Sequence, residues 1–204
     1  MKRKMIVLLT LIFAFICLFS ACGSSAAGAE KALISGMDAL KAGNYETLGD
    51  YFTLDSELFG AVTEAADGED LSQYTELLPL ITGSMTYEIL SIEENENTAT
   101  AELSITNKDL SGIMTAVISQ LMSTQFSSIL TGNIDIDGIA EEVVQSARNA
   151  IEKQTETVTN TVTVQMSKTG DKWLIAADDD FADAVSGGLA SSLDRLQSSF
   201  ANLF

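Results

Sequence analysis

The stretch Ala99-Thr100-Ala101-Glu102-Leu103-Ser104-Ile105 alternates apolar and polar side chains without a break. Successive side chains of a strand point to opposite faces, so this period of two predicts a strand with one face turned to a core. Met85-Thr86-Tyr87-Glu88-Ile89 alternates in the same way, and the acidic turn Glu93-Glu94-Asn95-Glu96-Asn97 separates the two runs, which together predict a hairpin. A second hairpin is predicted further on. Val158, Val162, Val164 and Met166 share one face of residues 157–168, Thr169-Gly170-Asp171 supplies the turn, and Trp173-Leu174-Ile175 makes the return strand.

Around the hairpins the period changes to that of a helix. Ala29, Ala32, Leu33, Met37 and Leu40 recur at three- and four-residue spacing until Gly43-Asn44 breaks the pattern, and Tyr45, Leu48, Tyr51 and Phe52 continue the stripe in a second short helix. Leu54 to Ala66 predicts a further helix, Asp67-Gly68-Glu69-Asp70 a loop, and Pro79 a helix end near the close of Leu71 to Ile81. Between the hairpins, Leu110, Ile113, Met114, Val117, Ile118, Leu121 and Met122 form one wide apolar stripe. Ile139, Val143, Ala147, Ala150 and Ile151 form another after Gly132 to Gly138. Two inserted helices are therefore expected over about 108–156. A last amphipathic segment, Phe181 to Phe204, carries Val185, Leu189, Leu193, Leu196 and Phe200, with Gly187-Gly188 as its interruption. This order predicts one α+β domain over residues 29–204: a curved antiparallel sheet of about four strands packed against helices, with a two-helix insertion.

Composition narrows the function classes. Of 204 residues, 11 are Lys or Arg and 29 are Asp or Glu; three of the bases stand among the first four residues, so the rest of the chain sets eight cations against 29 anions, a net charge of −21. Such a field repels phosphate backbones and anionic lipid heads, and nucleic acid is not an expected partner. With 46% hydrophobic residues and a single proline the body has the apolar surface to fold, and Cys17 and Cys22 both lie near the N-terminus, so no disulfide framework supports it. The chain has no histidine, which excludes Ser-His and Cys-His nucleophiles and His-containing zinc sites. No catalytic, cofactor-binding or metal-ligating residue is assigned, and the domain is read as a binding module, not an enzyme.

Lys2-Arg3-Lys4 followed by the apolar run Met5 to Phe19 reads as a secretory signal over residues 1–21, its basic end cytoplasmic. The segment that follows, Phe19-Ser20-Ala21-Cys22-Gly23-Ser24-Ser25, resembles the lipobox of bacterial lipoproteins, with Phe19 standing where that family usually has Leu. The resemblance implies cleavage before Cys22, a diacylglyceryl group on its thiol with further acylation such as palmitate, and anchorage to the membrane. Two or more acyl chains bury enough methylenes to hold a protein there. Residues 22–28 then form a small-residue tether.

The run 39–48 (Ala-Leu-Lys-Ala-Gly-Asn-Tyr-Glu-Thr-Leu) and the closing strand 170–175 (Gly-Asp-Lys-Trp-Leu-Ile) are similar to the cone-shaped nuclear-transport-factor-two-like and cystatin-like domains of many uncharacterised Gram-positive lipoproteins. That resemblance implies a mouth between helix and sheet able to hold a small molecule, on the outer side of the cytoplasmic membrane. Two clusters are candidate sites. Asn133-Ile134-Asp135-Ile136-Asp137-Gly138 opens like a calcium loop, with Glu141 at position nine but Val144 where the bidentate acid belongs; the alternative reading makes Asp137 a helix N-cap. Asp178-Asp179-Asp180 is read as a cap with two solvated neighbours. Met114, Met122 and Phe126 at helical spacing, and Trp173 in its strand, are read as core. The alternatives kept open are a small-ligand or calcium-binding surface protein, and an envelope component that docks a partner through the inserted helices around Val117 and Leu121.

Overall fold

A computed structural model describes residues 28–53, 77–131 and 136–201. Helix α1 (Ala29–Lys41) and the single turn α2 (Tyr45–Leu48) lead to β1 (Phe52–Thr53); α3 (Leu78–Thr82), β2 (Thr86–Glu94) and β3 (Thr98–Lys108) follow. The insertion is α4 (Ile113–Thr131) and α5 (Ile136–Lys153), after which β4 (Thr157–Thr169), β5 (Lys172–Ala176), α6 (Asp179–Val185) and α7 (Leu189–Ala201) complete the chain. The strands form one sheet in the order β1-β5-β4-β3-β2. Both predicted hairpins are present. The first pairs Ile89 with Leu103 and the second pairs Lys168 with Trp173, while the long β3–β4 ladder runs from Thr98↔Ser167 to Lys108↔Thr157.

The alternation decides which face is buried. Ala99, Ala101, Leu103 and Ile105 of β3 and Val162, Val164 and Met166 of β4 point into a core closed by Leu33, Met37 and Leu40 of α1 and by Phe181 and Val185 of α6. The opposite face is polar, with Thr157, Thr159, Thr161, Thr163 and Gln165 of β4 exposed and cross-strand pairs such as Thr106 Oγ1 to Thr159 Oγ1 at 2.7 Å. Close approach of α1 to the sheet depends on Gly36, where an added Cβ would stand 2.7 Å from Ile175 Cδ1.

The sheet is larger and less regular than the hairpins imply. It has five strands and is mixed, because β1 runs parallel to β5 with Phe52 opposite Ile175. Two residues leave no alternation to read, and their order comes from β5, whose Ile175 N–H donates to Tyr51 O at 2.7 Å. Phe52 thus belongs to a strand rather than to the second helix's stripe. A register shift between Ile89 and Ser91 leaves Leu90 47% exposed, a bulge that turns one apolar side chain to solvent. Pro79 is the second residue of α3, in the first turn where its missing N–H costs nothing, and α3 ends at Thr82, close to the end expected for Leu71 to Ile81. The helix predicted over Leu54 to Ala66, the loop 67–70, the segment Leu71 to Glu76, the tether before Gly28 and the signal segment lie outside the described residues.

The two inserted helices pack their stripes on each other and on neighbouring helices, making a second core of Leu110, Ile113, Val117, Ala147, Ile151 and Leu189. Its base is clamped where β3 leaves and β4 enters the sheet. Asp109 N–H donates to Glu156 O at 2.9 Å, Gln154 Nε2 donates to Asp109 O, and Lys108 Nζ reaches Ile151 O at 2.8 Å near the end of α5. The Asp109 carboxylate accepts from both the N–H and the hydroxyl of Ser111, and these bonds hold its pKa below the usual carboxylate value.

Asn107 continues the buried face of β3 yet is polar, and it is 1% exposed. Its Nδ2 donates to Ile81 O at 2.9 Å and to Val185 O at 2.7 Å, while Oδ1 accepts from Ser84 Oγ at 3.1 Å and Lys108 N at 2.8 Å. Replacing Asn107 with Leu leaves the Ile81 and Val185 carbonyls buried without this donor, at about 1–3 kcal/mol for each such group. Urea unfolding of Asn107→Leu is therefore expected to show a midpoint lowered by a large fraction of the total stability; a variant within experimental error of the parent would contradict the assignment.

Gly187 has φ +62° and lies so close to β3's end that a Cβ would fall 1.9 Å from Lys108 O, whereas Gly170, at φ +63°, has nothing within 4 Å of the same position. Gly170→Ala carries only the left-handed backbone cost of about 1–2 kcal/mol. Gly187→Ala adds a collision with backbone, and thermal melts of the two variants should separate clearly, with Gly187→Ala the lower.

Candidate functional site

Helix α1 starts at Gly28 without a side-chain cap; instead its Ala29 N–H donates to Glu94 Oε2 at 3.1 Å, which ties the helix start to the end of β2. A carboxylate here satisfies one of the free donors at the positive end of the helix. Beside that first turn, β5 presents Trp173. A Cβ on Gly28 would stand 2.9 Å from Trp173 Nε1, so the helix start approaches the indole only because residue 28 has no side chain. Lys168, the register partner of Trp173 in β4, places Nζ 5.8 Å from the ring centroid.

These elements bound an open cleft of about 530 Å³. One wall is the exposed face of α1's first two turns, Gly28, Lys31, Ala32 and Ser35; the other is the β4–β5 turn with Lys168, Asp171 and Lys172; Asp50 and Tyr51 close it in front of β1. Lys172 Nζ lies 2.7 Å from Asp50 Oδ1, with the two side chains 68% and 57% exposed. The hydrogen bond to Asp50, then its charge, holds the Lys172 ammonium above its ordinary pKa. Trp173 is 6% exposed, and among the described residues no buried side-chain nitrogen or oxygen is left without a hydrogen-bond partner. Three of the eight cations beyond Lys4 line this cleft.

The residues singled out in the sequence take other places. Cys22 and, of the calcium-like loop, Asn133 to Asp135 lie outside the described residues, as does the side chain of Asp137. Asp137 is the second residue of α5 and not its N-cap. Asp178 does cap α6, its carboxylate accepting from Phe181 N at 2.9 Å, while Asp179 and Asp180 stand exposed in the first turn. No group of three or more Cys, Asp or Glu that could hold a metal occurs among the described residues. Val117 is buried and Leu121 packs against the second core, so the apolar stripe of α4 is used within the molecule. Met114 packs there too, but Met122 is 55% exposed, and the Phe126 side chain lies outside the described residues. Trp173 is core by burial, as expected, and also the back wall of the cleft. The cleft escaped the sequence reading because Gly28, Asp50 and Lys168 are brought together by long-range pairing; the one local signal was a tryptophan between Lys172 and a strand end, in a chain with few cations.

No protein-family model matches the chain, and no curated protein does either. Among solved structures the fold is similar to that of a candidate lipoprotein of Bacillus subtilis, ycdA, at 16% identity and a TM-score of 0.47, over 78% of this chain and 55% of that one. The match thus spans little more than half of that protein. No helix among the described residues is long and apolar enough to cross a membrane.

If Asp50 sets the Lys172 pKa, Asp50→Asn should lower the ammonium titration seen by NMR toward that of an ordinary lysine. Because the folded-state value is raised, any stabilisation by this pair is present below the unfolded pKa and disappears as pH rises through the folded one. For so exposed a pair the melting temperature at neutral pH should hardly change.

Proposed function

We propose that the chain is an exported lipoprotein, held on the outer side of the cytoplasmic membrane of a Gram-positive bacterium through acyl chains on Cys22, whose domain works as a binding module and not as an enzyme. The observation that carries this reading is the position of the cleft relative to the anchor. Gly28, part of the cleft wall, follows Cys22 by six residues, and six residues reach at most about 20 Å. The open site is thereby kept close to the membrane surface. The basic start, the apolar run and the Ser20-Ala21-Cys22-Gly23 junction supply the export and lipidation signals. Absence of histidine from the chain, with the Cys22 thiol taken by lipid, leaves neither a Ser-His nor a Cys-His pair, and the charge of −21 disfavours nucleic acid.

The resemblance to the nuclear-transport-factor-two-like cone is kept as part of this reading, and what supports it is α1 laid on one sheet face with a cleft between that helix and the β4–β5 turn. The inserted helices α4 and α5 are an addition whose stripes are buried in a core of their own.

Intact mass of the native protein from the membrane fraction should lack residues 1–21 and carry a diacylglyceryl group on Cys22. Cys22→Ser should abolish both changes. Recovery of a soluble form with Met1 retained, or with an unmodified Cys22, would overturn the reading.

A further inference from the structure

We propose that β2 is a docking edge, to which an extended partner segment alternating Lys or Arg with apolar residues adds as a further strand of the sheet. The proposal rests on the reading of the domain as a binding module and names the chemistry of its partner.

The first observation is an open backbone. Strand β2 ends the sheet, is nine residues long and pairs with β3 alone. At the turn Asn95 N–H donates to Thr98 O, and an antiparallel ladder bonds on alternate residues. Glu93 and Ser91 therefore direct their backbone groups at Thr100 and Glu102, while those of Ile92 and Glu94 point away from the sheet. Among the described residues no backbone group of β2 bonds outside the hairpin. Such a row is a template for another strand, and proteins commonly blunt it with Lys, Pro or a bulge. β2 has neither Lys nor Pro, and its register shift at Leu90 leaves a regular run on each side, 86–89 and 91–94. At the opposite end of the sheet, β1 is two residues long and offers no comparable row.

The second observation is the side chains that flank this row. On the polar face Glu88 and Glu93 are exposed, Glu102 of β3 stands opposite Ser91, and residues 42–107 hold no Lys or Arg. On the other face Tyr87, Ile89 and Ile92 pack against the sheet core yet are only half-buried, so the core is incompletely covered along β2. An added strand sets one row of its side chains beside the acids and the other beside Ile89 and Ile92. Alternation of cationic and apolar residues matches both rows.

Charge also decides between occupants. A second copy pairing through β2 would lay two acidic strands side by side, with Glu88 and Glu93 on each, and like charges across a ladder destabilise it. A cationic segment meets the opposite sign and is drawn in by the field of the acidic body. Main-chain hydrogen bonds then supply the docking, and alternate side chains the selectivity.

The test uses the lipidated protein in non-ionic detergent micelles at constant ionic strength, with peptide binding followed by fluorescence anisotropy. The probes are a short labelled peptide of Lys-Val repeats, the same peptide N-methylated along its backbone, and a peptide of Glu-Val repeats. Saturable binding of the first alone is expected, with the amides of Ile92 and Glu94 protected from hydrogen exchange in the complex. The Glu88→Lys, Glu93→Lys double variant changes two exposed side chains and should melt like the parent. It should bind the Lys-Val peptide at least about tenfold more weakly, each reversed cross-strand pair costing a fraction of the energy that a factor of ten represents, and should gain affinity for the Glu-Val peptide.

Equal binding of the N-methylated peptide would reduce the effect to charge attraction and overturn the proposal. So would the absence of saturable binding, an affinity unchanged in the double variant, or exchange protection confined to other strands. Protection of Ile92 and Glu94 that rises with protein concentration in the absence of peptide would assign the edge to a second copy instead. None of these outcomes bears on the mass of the native Cys22, so failure here is distinct from failure of the anchored-module reading.

Discussion

Four hydrogen bonds meet at the Asn107 side chain, and they use every donor and acceptor that an amide has. Through them the end of β3 is joined at once to α3, to the loop that follows it, and to the end of α6. This is also the seam between the two cores. On one side lies the sheet core under α1 and α6; on the other lie the inserted helices with α7. A leucine would fit the alternation of β3 better, but it would leave carbonyls at a helix end and a helix turn facing apolar surroundings. Gly187 completes the seam, since its O accepts from Leu110 N at 2.7 Å and the lack of a side chain lets the backbone pass close over Lys108.

The seam explains how a long insertion is tolerated. Residues leaving β3 and returning to β4 are neighbours, Lys108 opposite Thr157, so the insertion closes on a point where the ladder has already brought its ends together. Asp109, Gln154 and Glu156 then satisfy the backbone groups that the sheet no longer pairs. The sheet's register and the insertion's packing are thereby separate problems, solved by period-two and helical patterns in turn.

The cleft lies at the other end of the sheet, by the β2–β3 and β4–β5 turns, and depends on a different set of contacts. Here Lys168 N–H donates to Asn97 O at 2.9 Å and Glu94 holds the start of α1, so both turns and the helix share one rim. A predominantly acidic surface elsewhere gives the three lysines of this rim more weight than their number alone suggests, since a mixed local field stands out against a uniform repulsive one.

The sequence by itself determined both hairpins, the buried face of β3 and β4, a helix cap within Asp178-Asp179-Asp180, the break at Gly187-Gly188 and the two inserted helices, because each is written in local periodicity or in the chemistry of a few adjacent residues. It also carried the basic-then-apolar start and the lipobox-like junction at Cys22 on which the proposed function leans. Tertiary structure decided the rest. Strand β1 is two residues long and exists only because β5 offers it a partner, and Asp137 lies inside α5 rather than capping it. The alternation was read only to Ile105, so neither Asn107 nor its partners at positions 81, 84 and 185 were found, and the meeting of Gly28, Lys31, Lys168 and Trp173 was invisible because it depends on long-range pairing. Pairings across more than a hundred residues leave no local period, so only the folded chain brings those groups to one place.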